Sequence, residues 1–227
     1  MKIYVCTGHA NYGNMISSAD GSAVGGCNEY NYNKELLSYI KKCCEVVGIE
    51  CYTDTPEVGK LHSLEDEINY YIPHANDKNY DLVVQLHLNA CNEKASGCEV
   101  WYYPYSNDGK KYANNVCEKL ATVWKNRGIK ESKSLYWLRK TVSPSILVES
   151  FFCDNASDYL TAVKLGLDAH AKLIVEGILG RDITIDNTRY SVLVGNYDKK
   201  VATSVSKELS HLGYKTEVVR RGWEYGC

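Results

Sequence analysis

Along the chain, compact apolar runs alternate with stretches in which apolar residues recur every three or four positions, and these patterns predict strands and helices in turn. Lys2–Cys6 reads as a strand that stops at Thr7-Gly8-His9, and a loop rich in Gly, Ser and Asn follows to Asn28. From Glu29 the residues Leu36, Ile40, Cys43 and Val47 stand at i, i+4, i+7 and i+11, an amphipathic helix with Asn28 as its N-cap and Gly48 as its stop. Ile49–Thr53 is strand-like, and Ser63 to Asp77 is helical, with Pro73 expected to end or kink it. Asp81-Leu82-Val83-Val84-Gln85-Leu86 leads straight into His87 and reads as a buried central strand. Cys98–Tyr103 is a further strand, and a helix from Asp108 to Lys125 aligns Tyr112, Val116, Leu120 and Val123. Then come a short strand at Ser134–Leu138 and a buried strand at Ser145–Val148 that runs into Glu149. One long helix at Ser157–Leu179 turns Leu160, Val163, Leu167, Ala171, Ile174 and Ile178 inward. The order β-α-β-α-β-β-α-β-β-α implies an α/β fold, a twisted, mostly parallel sheet flanked by helices on both faces.

A change of pattern follows Gly180. The polar segment 181–188 reads as a linker between a domain over residues 1–180 and a small C-terminal β-α-β module over 189–227. In that module Tyr190–Gly195 is a strand, Lys199–Leu212 a helix with Val201, Val205, Leu209 and Leu212 inward, and Tyr214–Val219 a second strand. It falls below the roughly 40 residues at which domains fold alone. Either two copies pair, making a homodimer, or the module docks on the larger domain.

Composition narrows the function classes. Across 227 residues, 44% hydrophobic and 24% charged residues describe a globular chain. A net charge of -2 with dispersed basic residues makes nucleic acid an unexpected partner. No run approaches the roughly 18 apolar residues that span a bilayer, so no membrane insertion is expected. The apolar start Met1–Thr7 is too short for a signal peptide, which points to cytoplasmic synthesis. The ten cysteines contain no Cys-x-x-Cys pair and stand mostly in apolar runs, so they read as small buried hydrophobes in a reducing compartment.

In open α/β sheets, sites form at the carboxyl ends of strands. His9 follows the first strand, His87 the central strand, and Glu149 ends the last core strand, while Glu29 opens the first helix, where the dipole favours a carboxylate. Taken singly, each has an ordinary reading as a polar residue at a sheet rim or a solvated helix start. Together, two imidazoles and a carboxylate are a common donor set for a catalytic zinc with an open water position, and a second carboxylate completes a hydrolytic site. Zinc lowers the pKa of its water from 15.7 to about 7 and polarises a carbonyl.

Four segments carry a resemblance in both order and spacing. They are Thr7-Gly8-His9, Gly26-Cys27-Asn28-Glu29-Tyr30-Asn31-Tyr32-Asn33, Leu86-His87-Leu88-Asn89-Ala90 and Ile146-Leu147-Val148-Glu149-Ser150-Phe151-Phe152-Cys153-Asp154-Asn155. Over residues 1–180 they resemble the type-3 N-acetylmuramoyl-L-alanine amidases, the zinc amidases of bacterial autolysins and phage endolysins, and most closely those of clostridial phages. The strand Gly97-Cys98-Glu99-Val100 also looks like one of that family. The resemblance implies one Zn²⁺ per chain held by His9, Glu29 and His87, with Glu149 as the catalytic carboxylate. It implies peptidoglycan as substrate, cut at the amide between N-acetylmuramic acid and L-alanine. The protein would be made in the cytoplasm of a host bacterium and act on the cell wall after release. His74 stands where many relatives carry Arg, and no role is assigned to it. His62, His170 and His211 read as solvated, and Asn89 as a residue that shapes its turn. In the C-terminal module, Val-Gly-Asn-Tyr and Leu-Gly-Tyr resemble the first half of a SPOR-type wall-binding repeat. Two other readings compete: a wall-binding protein with a vestigial site, and a carboxypeptidase-like zinc hydrolase on a similar sheet.

Overall fold

The computed structural model describes residues 1–13, 26–184 and 199–211. The chain divides into two compact units, Met1–Ile185 and Asp186–Cys227. In the first unit, strands β1 (Lys2–Thr7), β2 (Glu50–Asp54), β3 (Leu82–Asn89), β4 (Cys98–Tyr102), β5 (Asn126–Glu131) and β6 (Ser145–Phe152) form one sheet in the order β2-β1-β3-β6-β4-β5. Neighbouring strands are parallel except β4 and β6, which are antiparallel. β1, β3 and β6 therefore bring their carboxyl ends to one edge.

Strand alternation sorts side chains between two cores. Ile3, Val5, Leu82, Val84, Leu86, Ile146 and Val148 pack against α1 (Glu29–Val46), α3 (Asn107–Leu120) and α6 (Leu167–Leu179). Tyr4, Cys6, Val83 and Leu147 pack against α2 (Leu64–Ala75) and α4 (Tyr136–Lys140). Covering both faces explains why β3 and β6 read as continuous apolar runs. The α/β class and the helices on both faces agree with the sequence reading.

Three elements depart from it. The expected helix over Ser157–Leu179 is two, α5 (Ala156–Leu165) and α6, broken at Gly166. Gly166 holds φ 81° and ψ 155°, a region open essentially to glycine alone. The break turns α5 away, so Leu160 and Val163, expected inward, are exposed. At Ser134–Leu138 the chain forms the single-turn helix α4 instead of a strand, burying Trp137 and Leu138. The expected helix to Lys125 ends at Leu120, and the polar sequence after it forms the edge strand β5. Edge strands carry charge rather than alternating apolar residues, so β5 left no periodic signal. Pro73 lies in the last turn of α2, which stops two residues later at Ala75.

The segment read as the start of a linker is tied to the first unit. Ile183 is buried, its N–H donates to Glu176 Oε1 at 2.9 Å, and Lys119 bridges Glu176 and Asp182. In the second unit, α7 (Lys199–His211) leaves Val205 and Leu209 half-buried and Val201 exposed. The strands expected at Tyr190–Gly195 and Tyr214–Val219, and Leu212, lie outside the described residues. The nine described cysteines are free thiols: six are buried, Cys27 and Cys51 are half-buried, and Cys91 is exposed. Among the described residues, no helix is long and apolar enough to cross a membrane.

Candidate metal centre

The sheet edge assembles the site one element at a time. β1 ends at Thr7, and Gly8 N–H donates to Leu86 O at 2.8 Å, which lays the chain flat against β3. A Cβ on Gly8 would come within 2.1 Å of the His87 ring, so glycine is what lets the imidazole lie there. His9 follows directly, its ring edge-on to that of His87 with centroids 4.9 Å apart.

Glu29 is delivered by the start of α1. Asn28 caps the helix, its Oδ1 accepting from Asn31 N–H at 3.0 Å. The Glu29 carboxylate is buried; Oε1 accepts from Leu88 N–H at 2.9 Å and lies 3.1 Å from His87 Nδ1. One ligand atom from each of His9, Glu29 and His87 falls within 4.8 Å of the other two, a group that could hold a metal ion. His87 Nε2 is buried with no hydrogen-bond partner among the described residues. Such an orphan fits an absent cation. Burial, the largest influence, and the neighbouring His9 hold the His87 imidazole below its ordinary pKa, while Glu29 pulls the other way. The net effect keeps a lone pair available, which metal binding requires.

A carboxylate that the sequence reading did not single out supports the first histidine. Glu67 of α2 is buried, and its Oε2 lies 3.3 Å from His9 Nδ1. Its Oε1 accepts from Ala10 N–H at 2.6 Å and from the Tyr12 hydroxyl at 3.0 Å, so one side chain clamps the segment after β1. In the sequence Glu67 is one of three acidic residues in the first turn of α2, all favoured there by the helix dipole. Nothing local marks it out.

Glu149 faces His87 across β3 and β6. The residue is half-buried, but Oε2 is sealed from solvent and lacks a hydrogen-bond partner among the described residues. Burial first, then the charges of Glu29 and Glu99, push its carboxyl well above the usual carboxylate range. A bound dication would oppose that shift.

The other histidines lie elsewhere. His74 ends α2 with Nδ1 2.7 Å from Asp54 Oδ2, beside Tyr70, which also donates to Asp54. His62 and His211 are exposed, as expected. His170 is not: it is fully buried, with Nδ1 3.0 Å from the Tyr32 hydroxyl and its ring among Trp124 and Phe151. Its position on the inner face of α6 overrides its polarity. Asn89 accepts from Cys153 N–H at 2.8 Å through its carbonyl and reaches Glu99 with its side chain.

The chain is 43% identical to the catalytic domain of an endolysin targeting Clostridia difficile, with a TM-score of 0.76 over 81% of this chain and 99% of that one. It is 30% identical to an uncharacterised protein of Clostridium perfringens over 81% of this chain and 53% of that protein. An uncharacterised cell wall amidase of Bacillus anthracis shares 33% identity over 41% of this chain and 19% of its own length. The chain thus spans about half, or less, of the length of these curated relatives. Residues 3–179 match the N-acetylmuramoyl-L-alanine amidase family, a span that holds His9, Glu29, Glu67, His87 and Glu149, and the chain belongs to that family.

Proposed function

We propose that this protein is a zinc-dependent hydrolase that cuts peptidoglycan at the amide between the lactyl group of N-acetylmuramic acid and L-alanine, working as an endolysin or autolysin. The observation that carries the reading is the convergence of His9, Glu29 and His87 on one point, with Glu149 in register beside His87. Family membership supplies the bond.

His9, Glu29 and His87 would hold one Zn²⁺, and Glu67 would keep the His9 ring in place through Nδ1. When bound, zinc supplies Lewis acidity toward the scissile carbonyl and acidifies a water molecule. Glu149 does the proton work: Oε2 takes the proton of the attacking water and returns it to the departing amine nitrogen of L-alanine. Its enclosure suits this, because a carboxylate removed from bulk water holds a proton long enough to deliver it. The glycan then leaves with its lactyl carboxylate and the stem with a free amino terminus.

Digestion of purified peptidoglycan tests the reading. New L-alanine amino termini should accumulate without new reducing sugars. Reducing ends, or release of C-terminal amino acids, would replace it with a glycosidase or a carboxypeptidase-like activity.

A further inference from the structure

The row of side chains at the site does not stop at Glu149. His87 faces Glu149 across β3 and β6, and Glu149 faces Glu99 across β6 and β4. β4 then pairs with β5, and between Cys98 and Val100 the register slips, setting Arg127 of β5 beside Glu99. Arg127 Nε donates to Glu99 Oε2 at 2.8 Å, and the guanidinium carbon lies 4.9 Å from the centre of the Phe152 ring. The other oxygen of Glu99 accepts from Asn89 Nδ2 and Trp101 Nε1, each at 3.3 Å. Glu99 is thereby buried and held on both oxygens, while the Arg127 side chain keeps 35% of its surface exposed.

This is an arginine fastened at one end. Its Nε is occupied and its face lies on a ring, and among the described residues nothing meets its two terminal amino groups. Those groups form a planar fork suited to a carboxylate, and a fork already held in place loses little rotamer freedom on binding. Neutralising Glu99 needs only a charge; it does not need an open fork.

Resting on the amidase reading, we propose that Arg127 binds a free carboxylate of the peptide stem, that of the residue following L-alanine, and that Glu99 is the positioning residue that aims it. The distances agree. Neighbouring strands lie about 4.8 Å apart, so the backbone of β5 stands roughly 10 Å from that of β6, and the Arg127 guanidinium reaches back to the Phe152 ring of β6, three residues after Glu149. Two extended residues span about 7 Å. Within that reach the glycan offers no anion, because its lactyl carboxyl is consumed in the scissile amide, and L-alanine offers none. The second stem residue is a glutamate joined through its γ-carboxyl, which leaves its α-carboxyl either free or amidated. Arg127 selects the free acid.

Two muropeptides that differ only in that group, α-carboxylate or α-carboxamide, test the assignment in the full-length zinc-loaded chain. The wild type should favour the acid by about 10–100-fold in kcat/KM, the range of a charge-assisted hydrogen-bond pair. Arg127→Gln should bring the ratio close to one, Arg127→Lys should restore part of it, and Glu99→Gln should lower it while leaving the arginine charge in place. A purely structural Arg127, acting through the fold or through the charge around Glu149, would slow both substrates equally, and an unchanged ratio in Arg127→Gln overturns the proposal. So does a wild type that cuts both muropeptides equally. If neither is cut, the amidase reading fails first, and calorimetry with the dipeptides L-Ala-D-Glu and L-Ala-D-isoglutamine, each blocked at the γ-carboxyl as its methylamide, decides Arg127 separately. Tighter binding of the acid that disappears in Arg127→Gln supports the site, and equal binding of the two removes it.

Discussion

Glu149 and His87 sit opposite one another on neighbouring strands, yet their replacement should have different consequences. On the proposed reading Glu149→Ala removes the proton carrier without removing a metal donor. Turnover on peptidoglycan should fall by about 10²–10⁴-fold while bound zinc is retained. On the same reading His87→Ala removes a buried donor, so the zinc itself should be lost. Metal analysis of the two purified variants beside their kcat values checks this, and loss of zinc from Glu149→Ala would make Glu149 a ligand. Glu67 acts one step further out, holding His9 by Nδ1. Glu67→Gln should weaken zinc affinity by about 10–100-fold, as removal of such supporting carboxylates does. Competition with a chelator measures it, and unchanged affinity would leave Glu67 as a clamp for Ala10 and Tyr12 only. Arg127 and Glu99 extend the same row toward the substrate.

Between elements, the clearest consequence lies where α1, α6 and β6 meet around His170. Burial holds this imidazole near a pKa of about 3, so it is neutral in the fold while an unfolded chain protonates it near 6.5. Above pH 6.5 the group costs nothing. As pH falls from 6.5 toward 3 the unfolded state alone gains a proton, and stability drops by about 1.4 kcal/mol per pH unit. His170→Asn keeps a partner for the Tyr32 hydroxyl and cannot titrate, so its denaturant midpoints should fall less steeply across this window than those of the wild type. Parallel slopes would contradict this account of His170. The same neighbourhood shows how elements escape local signals. Periodicity carried a helix straight through Gly166, whereas the backbone there turns into a region that ends α5 and restarts the chain as α6. β5 is polar and gains its strand character from pairing with β4, a partner far back in the sequence.

For the whole molecule, the open matter is the unit Asp186–Cys227. The sequence reading makes residues 189–227 of it a wall-binding or pairing module, below the roughly 40 residues at which domains fold alone. The chain should therefore elute as a dimer, or as a monomer whose tail resists proteolysis. Light scattering after size exclusion, followed by limited digestion, checks this, and a monomer with a sensitive tail would contradict both forms. In the unit Met1–Ile185, the buried strands β1, β3 and β6, the helix α1 and the placing of His9 just after β1 and of Glu29 at the start of α1 were legible in the sequence, whereas His87 and Glu149, expected where their strands stop, lie inside β3 and β6, which pair on to Asn89 and Phe152. Buried strands demand apolar runs, amphipathic helices demand a 3.6-residue period, and both are local constraints. Tertiary structure alone decided which of three acidic residues on α2 reaches His9, which charge on an edge strand meets Glu99, and that His170 is buried. Each depends on which elements come together across the sheet, where residues far apart in the chain exchange water for one another, and no local pattern records that choice.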